Sequence, residues 1–115
     1  MTGLRRVWNA LFFSFAGLVA ALKHEAAFRQ ESLLAAVLIP LACFLHTSGI
    51  GKALMVGSVV LVLIVELLNS AIEATVDRVS LEDHLLAKRA KDIGSAAVFF
   101  SLINVPIMWL LVMFG

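Results

Sequence analysis

The sequence predicts an all-α membrane protein, on the basis of its composition, its long apolar runs and the placement of its charged residues. Of the 115 residues, 62% are hydrophobic and only 15% are charged, and the mean hydropathy is +1.02. A typical soluble domain is much less apolar. The length suits one domain, residues 1–115, because single domains commonly have about 100–150 residues. The single cysteine, Cys43, excludes an internal disulfide.

Residues 4–22 are predicted to form an amphipathic helix that lies in the membrane interface. With 100° between successive residues, bulky apolar side chains fall on one arc and small or polar ones on the opposite arc. The apolar arc contains Trp8, Leu11, Phe12, Phe15, Leu18, Val19 and Leu22, and the other contains Arg6, Asn9, Ala10, Ser14, Gly17 and Ala21. A basic start and an aromatic-rich apolar face are typical of interfacial helices.

Three further stretches are predicted to cross the membrane, because a spanning helix needs roughly 20 residues. We expect these spans at residues 31–49, 52–73 and 93–114. The first reaches the required length only if its polar ends, Glu31 and Ser48, are included. The third contains no charged residue, and Pro106 in its middle predicts a kink that a helix bundle tolerates.

The lysine and arginine residues favour three spans over four. With three spans, eight of the nine basic residues lie on one side of the membrane and only Lys52 lies on the other. If residues 4–22 also crossed, the division would be three against six. Because Lys and Arg in short loops collect on the cytoplasmic side, we expect a cytoplasmic amino terminus and an external carboxyl terminus. All eight acidic residues also fall on the cytoplasmic side.

Polar residues form a stripe on the second predicted span. Glu66, Asn69, Glu73 and Asp77 are spaced i, i+3, i+7 and i+11, with Ser70 beside them, so they share one helix face. A carboxylate within the hydrocarbon costs several kcal/mol and is therefore a functional candidate. The alternative interpretation, a polar seam that holds helices together, applies more readily to Asn69 and Ser70 than to the glutamates.

Other polar clusters lie on the same side of the membrane. Glu25 and Glu31 precede the first span, and the helix that enters the third span carries a polar face. This face contains His84, Lys88, Lys91 and Ser95, with Asp92 at its edge. Carboxylates in this number suit Mg²⁺, which takes one or two carboxylates together with phosphate oxygens and water. The scattered histidines and the single cysteine argue against a soft-metal site.

Three segments resemble the prokaryotic diacylglycerol kinase family: "EAAFRQE" at 25–31, "VELLNSAIEATVDR" at 65–78 and "RAKDIGSAAV" at 89–98. The resemblance extends over essentially the whole chain. It implies a homotrimeric helix bundle in the bacterial cytoplasmic (inner) membrane, with sites shared between subunits. It also implies ATP-dependent phosphorylation of a lipid alcohol, 1,2-diacylglycerol to phosphatidic acid, with Mg²⁺. No nucleic-acid partner is expected.

The resemblance also implies residue roles. Glu66 would be the catalytic base, with Asn69 positioning the reacting groups, and Glu25 and Glu73 would be metal ligands. The implied ATP-binding residues are Arg6, Glu25, Glu73, Glu82, Asp83, His84, Lys91 and Asp92. The implied lipid-binding residues are Arg6, Ser14, Phe15, Glu31, Glu66 and Ser95. The depths agree with these roles, because Glu66 lies two turns, roughly 10 Å, deeper than Glu73. Glu66 can therefore reach a lipid hydroxyl while Glu73 meets the metal of the nucleotide.

Some features depart from the family pattern or leave alternatives open. Phe13 and Phe15 stand where well-known members have tyrosine and tryptophan, and Lys88 replaces a glycine. An undecaprenol kinase of the same family is an alternative, and a small multidrug transporter is a non-enzyme alternative. Such transporters have four spans and a lone mid-membrane glutamate, whereas this chain predicts three spans and an acidic cluster. A soluble kinase fold is excluded because no Walker or protein-kinase motif occurs.

Overall fold

The computed structural model describes residues 2–79 and 84–115. At positions 79 and 84 it describes the backbone but not the side chain. The described residues form four helices, α1 (Gly3–His24), α2 (Ala26–Phe44), α3 (Gly49–Val79) and α4 (His84–Phe114). There is no strand in these two ranges, which confirms the all-α prediction.

The helix bounds differ from the predicted segments where backbone conformation and capping hydrogen bonds decide where a helix begins or ends. The first predicted span was 31–49, but α2 runs from Ala26 and ends at Phe44. It ends there because Leu45 has an extended backbone conformation. Ser48 then caps α3, since its Oγ accepts a hydrogen bond from the Gly51 N–H at 3.0 Å.

The other helices are longer than the predicted segments 4–22, 52–73 and 93–114. Helix α1 includes the basic residues Lys23 and His24 in its last turn, where cations favour the negative end of the helix dipole. Helix α4 begins well before residue 93, and Lys88 and Asp92 form an i,i+4 ion pair in its early turns.

Helix α3 is the centre of the fold. It packs most extensively against α4 and also against α2, while α1 contacts mainly α2. Met55, Val59 and Val62 are its buried apolar residues. The Trp109 indole N–H of α4 donates a hydrogen bond to the Met55 carbonyl oxygen at 3.2 Å. These contacts hold α3 against its neighbours along the part of the helix that precedes the polar stripe.

The outer surfaces of the helices are strongly apolar. On α1, Trp8, Phe12 and Phe13 are 71%, 67% and 69% exposed. By length and composition, each of the four helices is apolar enough to cross a membrane, including α1. An apolar surface of this extent suits contact with lipid or with other helices.

Candidate functional site

The polar stripe of α3 becomes more buried toward the middle of the helix. Glu66 and Asn69 are only 4% and 7% exposed, Glu73 is half-buried, and Asp77 is exposed. The helical period places all four on one face, so the stripe leads from the exposed end of α3 into the helix packing. A polar ligand could therefore contact both exposed and buried acidic groups along one line.

Three carboxyl groups gather around that of Glu66. The Glu31 carboxyl group of α2 lies within hydrogen-bonding reach of the Glu66 carboxyl group. The Glu66 carboxyl group also interacts electrostatically with that of Glu73, about two turns further along α3, and with that of Glu25, which lies between α1 and α2. The fold therefore brings together acidic residues that are far apart in the sequence.

Buried polar atoms lie beside these carboxyl groups. Among the described residues, Asn69 Oδ1 is buried and has no hydrogen-bond partner, while Glu31 Oε2 and Ser70 Oγ are buried beside the Glu66 carboxyl group. An unsatisfied buried polar atom costs about 1–3 kcal/mol, and such atoms are few in native proteins. The unpaired Asn69 oxygen near Glu66 is therefore available to a hydrogen-bonding group of a ligand.

Gly94 of α4 makes room for the Asn69 side chain. A Cβ atom at position 94 would overlap Asn69 Oδ1, and Gly94 is buried against α3. Sequence reasoning gave this glycine no role, although it lies within the quoted "RAKDIGSAAV" segment. A helical glycine costs roughly 1 kcal/mol relative to alanine, and this cost was the signal that could have pointed to a close approach.

Ion pairs join or flank the exposed end of the stripe. Lys91 Nζ lies 2.6 Å from Asp77 Oδ1 and also interacts electrostatically with Glu73. Lys88 Nζ lies 2.7 Å from Asp92 Oδ2. The first pair connects α4 to α3, so a lysine ammonium group lies next to the acidic stripe, where it can meet an anionic ligand.

An open groove runs between α1 and α3 and ends at the acidic cluster. Its volume is about 1010 Å³, and its lining includes Ser14, Leu18, His24, Glu25 and Ser70. The groove is predominantly apolar, and its polar lining residues are Ser14, His24, Glu25 and Ser70. This combination suits an amphipathic molecule with a polar group near Glu66.

The predicted site residues are thus only partly brought together in one chain. Glu25, Glu31, Glu66, Asn69 and Glu73 cluster, and Lys91 lies at the end of the cluster. Ser14 lines the groove, while Arg6, Phe15 and Ser95 are exposed. Asp92 is paired with Lys88. Glu82 and Asp83 lie outside the described residues, and the side chain of His84 lies outside the description.

The carboxylates do not form a complete metal site within one described chain. Among residues 2–79 and 84–115, no group of three His, Cys, Asp or Glu side chains has the arrangement to hold a metal ion. Glu25 and Glu73 are nevertheless hard oxygen donors near a common carboxylate. This donor set fits a cation that takes its remaining ligands from phosphate and water.

Comparison with known proteins assigns the chain to a family. The family model for prokaryotic diacylglycerol kinase matches residues 12–113. A protein named diacylglycerol kinase from Pseudomonas aeruginosa is 56% identical over 114 residues, which cover 99% of this chain and 93% of the relative. Those from Haemophilus influenzae and Escherichia coli (strain K12) are 51% and 47% identical. The first alignment covers 94% of this chain and 92% of the relative, and the second covers 99% and 93%. The chain belongs to the prokaryotic diacylglycerol kinase family.

Proposed function

We propose that the chain transfers the γ-phosphoryl group of ATP to the hydroxyl group of 1,2-diacylglycerol, which gives phosphatidic acid and ADP. The observation that carries the proposal is the cluster of carboxyl groups around the buried Glu66, with the unpaired Asn69 Oδ1 beside it, at the end of an apolar groove. The names of the relatives support the same reaction. In this reaction a bond forms between the lipid oxygen and the γ-phosphorus, and the bond from that phosphorus to the β,γ-bridging oxygen breaks.

The proposed base is Glu66, which takes the proton of the lipid hydroxyl as the new bond forms. Its burial on α3 suits contact with a lipid whose hydroxyl lies just below the headgroups. Asn69, one turn away and held beside Gly94, would direct its free Oδ1 and its amide group toward the reacting groups. Glu31, Ser14, Phe15 and Ser95 would contact the lipid.

Glu25 and Glu73 would hold Mg²⁺ together with phosphate oxygens of ATP. When bound, the ion neutralises negative charge on the β- and γ-phosphates and helps to align them. The two carboxylates suit Mg²⁺ because it keeps several water ligands and needs only one or two carboxylates from the protein. Both glutamates interact electrostatically with Glu66, so both lie near the proposed position of the reacting groups.

The remaining nucleotide contacts would come from residues near the exposed end of the stripe. Lys91 would bind the phosphates. Its ammonium group must then either leave Asp77 or contact Asp77 and the phosphates at the same time. Either change is inexpensive because both side chains are substantially exposed, 41% and 64%. The others proposed for ATP binding are Arg6, Glu82, Asp83, His84 and Asp92.

Three spans and an interfacial α1 would place this site at the cytoplasmic face of the bacterial inner membrane. The division of basic residues, eight to one, supports a cytoplasmic amino terminus and a periplasmic carboxyl terminus. We also propose a homotrimer with shared sites, because one described chain leaves Arg6 and Phe15, both proposed to contact substrate, exposed. Native mass spectrometry should give three copies per particle, and one or two copies would contradict this assembly.

A lipid-alcohol panel tests the reaction. Purified protein is incubated with γ-labelled ATP, Mg²⁺ and either diacylglycerol or undecaprenol in mixed micelles. We expect label in phosphatidic acid, dependent on Mg²⁺, with far less transfer to undecaprenol. Preferential labelling of undecaprenol would assign the alternative substrate of this family, and no labelling of any lipid would contradict the proposed function.

Cysteine labelling in intact cells tests the topology. In a Cys43→Ser background, a membrane-impermeant thiol reagent should label a His46→Cys variant but not an Arg78→Cys variant, because these positions flank the two ends of α3. A Gly3→Cys variant distinguishes three spans from four. Three spans predict that position 3 is protected like position 78, and labelling at position 3 from outside would establish that α1 crosses the membrane.

A further inference from the structure

Glu25 forms a one-residue junction between two helices. Helix α1 ends at His24 and α2 begins at Ala26, while Glu25 itself has φ −114° and ψ 105°, an extended conformation. Its backbone N–H donates to the Ala21 carbonyl oxygen at 2.9 Å, and its carbonyl oxygen accepts from the Arg29 N–H at 3.1 Å. The direction of the Glu25 side chain therefore depends on the angle between α1 and α2.

Arg29 spans this junction with its side chain. Its guanidinium Nη1 donates hydrogen bonds to the carbonyl oxygens of Leu22 and Lys23, both at 3.0 Å. These carbonyls belong to the last turn of α1, where backbone acceptors lack helical partners. The cation also favours the negative end of the α1 dipole. The Arg29 side chain, in the first turns of α2, is therefore hydrogen-bonded to the end of α1 on the other side of Glu25.

We infer that Arg29 is a positioning residue that fixes the Glu25 carboxylate in the orientation needed for metal binding. This inference rests on the proposed role of Glu25 as a ligand of Mg²⁺. Without the two guanidinium hydrogen bonds, α1 and α2 lose one of the contacts that set the angle between them, and this angle varies more. The Glu25 carboxylate then spends less time near Glu66, and metal affinity falls.

The geometry separates this role from a general charge effect. Arg29 is exposed, so its hydrogen bonds add little to overall stability, whereas residues that orient metal ligands typically contribute 10–100-fold in metal affinity or activity. An effect on Mg²⁺ affinity without a comparable loss of stability is therefore expected. A charge that only sets topology or contacts headgroups would not change the affinity for a divalent ion.

Manganese binding provides a readout that does not depend on turnover. Mn²⁺ affinity is measured by electron paramagnetic resonance on the full-length protein in one lipid, with a non-hydrolysable ATP analogue. For Arg29→Gln we expect roughly tenfold weaker Mn²⁺ binding and a matching rise in the Mg²⁺ concentration needed for activity. The rate at saturating Mg²⁺ should change much less. Arg5→Gln, which removes an exposed arginine from α1, should leave Mn²⁺ affinity unchanged.

Combining Arg29→Gln with Glu25→Ala distinguishes a failure of the inference about Arg29 from a failure of the proposed metal site. The double variant Glu25→Ala/Arg29→Gln should bind Mn²⁺ no more weakly than Glu25→Ala, because Arg29 acts through Glu25. If Glu25→Ala weakens binding and Arg29→Gln does not, the inference about Arg29 is wrong and the metal site stands. If neither variant weakens binding, the proposed metal site is wrong as well.

A second variant and a distance measurement protect the test against misfolding. Spin labels at Gly3 of α1 and Leu33 of α2, both exposed, should show a broader distance distribution in Arg29→Gln than in the parent. An unchanged distribution overturns the inference. Should Arg29→Gln fail to fold, Arg29→Met retains a long side chain but has no hydrogen-bond donor, and an undiminished Mn²⁺ affinity in that variant overturns the inference equally.

Discussion

Glu66→Gln should abolish phosphoryl transfer to the lipid while the assembly and the affinity for ATP stay close to those of the parent protein. The amide occupies the same volume and can still hydrogen-bond to Glu31, which lies within reach of position 66. It cannot take the proton of the lipid hydroxyl. Because a positioned base typically contributes 10²–10⁴-fold, we expect turnover to fall by at least about 100-fold.

The measurement separates this loss from misfolding. Initial rates with diacylglycerol are compared with the binding of a fluorescent ATP analogue and with the thermal unfolding temperature. Ser58→Ala is a matched control, because it also changes a buried polar side chain of α3. The Ser58 hydroxyl donates to the Met55 carbonyl oxygen within its own helix, so this variant should remain active. Near-normal activity in Glu66→Gln would remove Glu66 as the base.

The fold class could be predicted from composition and periodicity, and family membership confirms a membrane enzyme. Helix bounds were less predictable, since they depend on single residues. Helix α2 ends at Phe44 although residues 45–49 were expected to continue it, because a backbone turn and the Ser48 cap outweigh hydropathy there. Hydropathy averages over a window and therefore does not register such local hydrogen bonds.

The site could be predicted as a stripe but not as a cluster. The 3.6-residue period places Glu66, Asn69 and Glu73 on one face without knowledge of the other helices. The contact between Glu31 and Glu66 depends on how α2 packs on α3. The space that Gly94 leaves for Asn69 depends on how α4 packs on α3. Such contacts join residues distant in sequence, and no local pattern encodes the distance between them.

The packing of α3 also bears on the two interpretations of the polar stripe, a functional site and a polar seam between helices. A seam that only held helices together would pair its polar groups with those of neighbouring helices. Instead, Asn69 Oδ1 is buried without a partner among the described residues. Unsatisfied groups destabilise a folded protein, so their retention favours ligand binding over a purely structural role.

Removal of Glu25 or Glu73 should raise the Mg²⁺ requirement and cost most of the activity, and the two losses should not add. Glu25 lies at the corner between α1 and α2, and Glu73 lies on α3, so neither residue alone supplies both protein ligands. With either carboxylate replaced by Ala, charge on the β- and γ-phosphates is less well neutralised. Residues that act as a unit give strongly non-additive effects, so the double variant should be little worse than either single one.

Magnesium titrations of activity for Glu25→Ala, Glu73→Ala and the double variant, all in the same lipid, provide the measurement. Glu31→Ala is the matched comparison because it also removes a carboxyl group from the cluster. Glu31 lies against Glu66 rather than at the corner, so its removal should lower turnover more mildly and leave the Mg²⁺ dependence unchanged. A wild-type Mg²⁺ dependence in Glu25→Ala would exclude coordination by this residue. Fully additive losses would instead indicate that Glu25 and Glu73 serve separate steps, since two ligands of one ion cannot be lost independently.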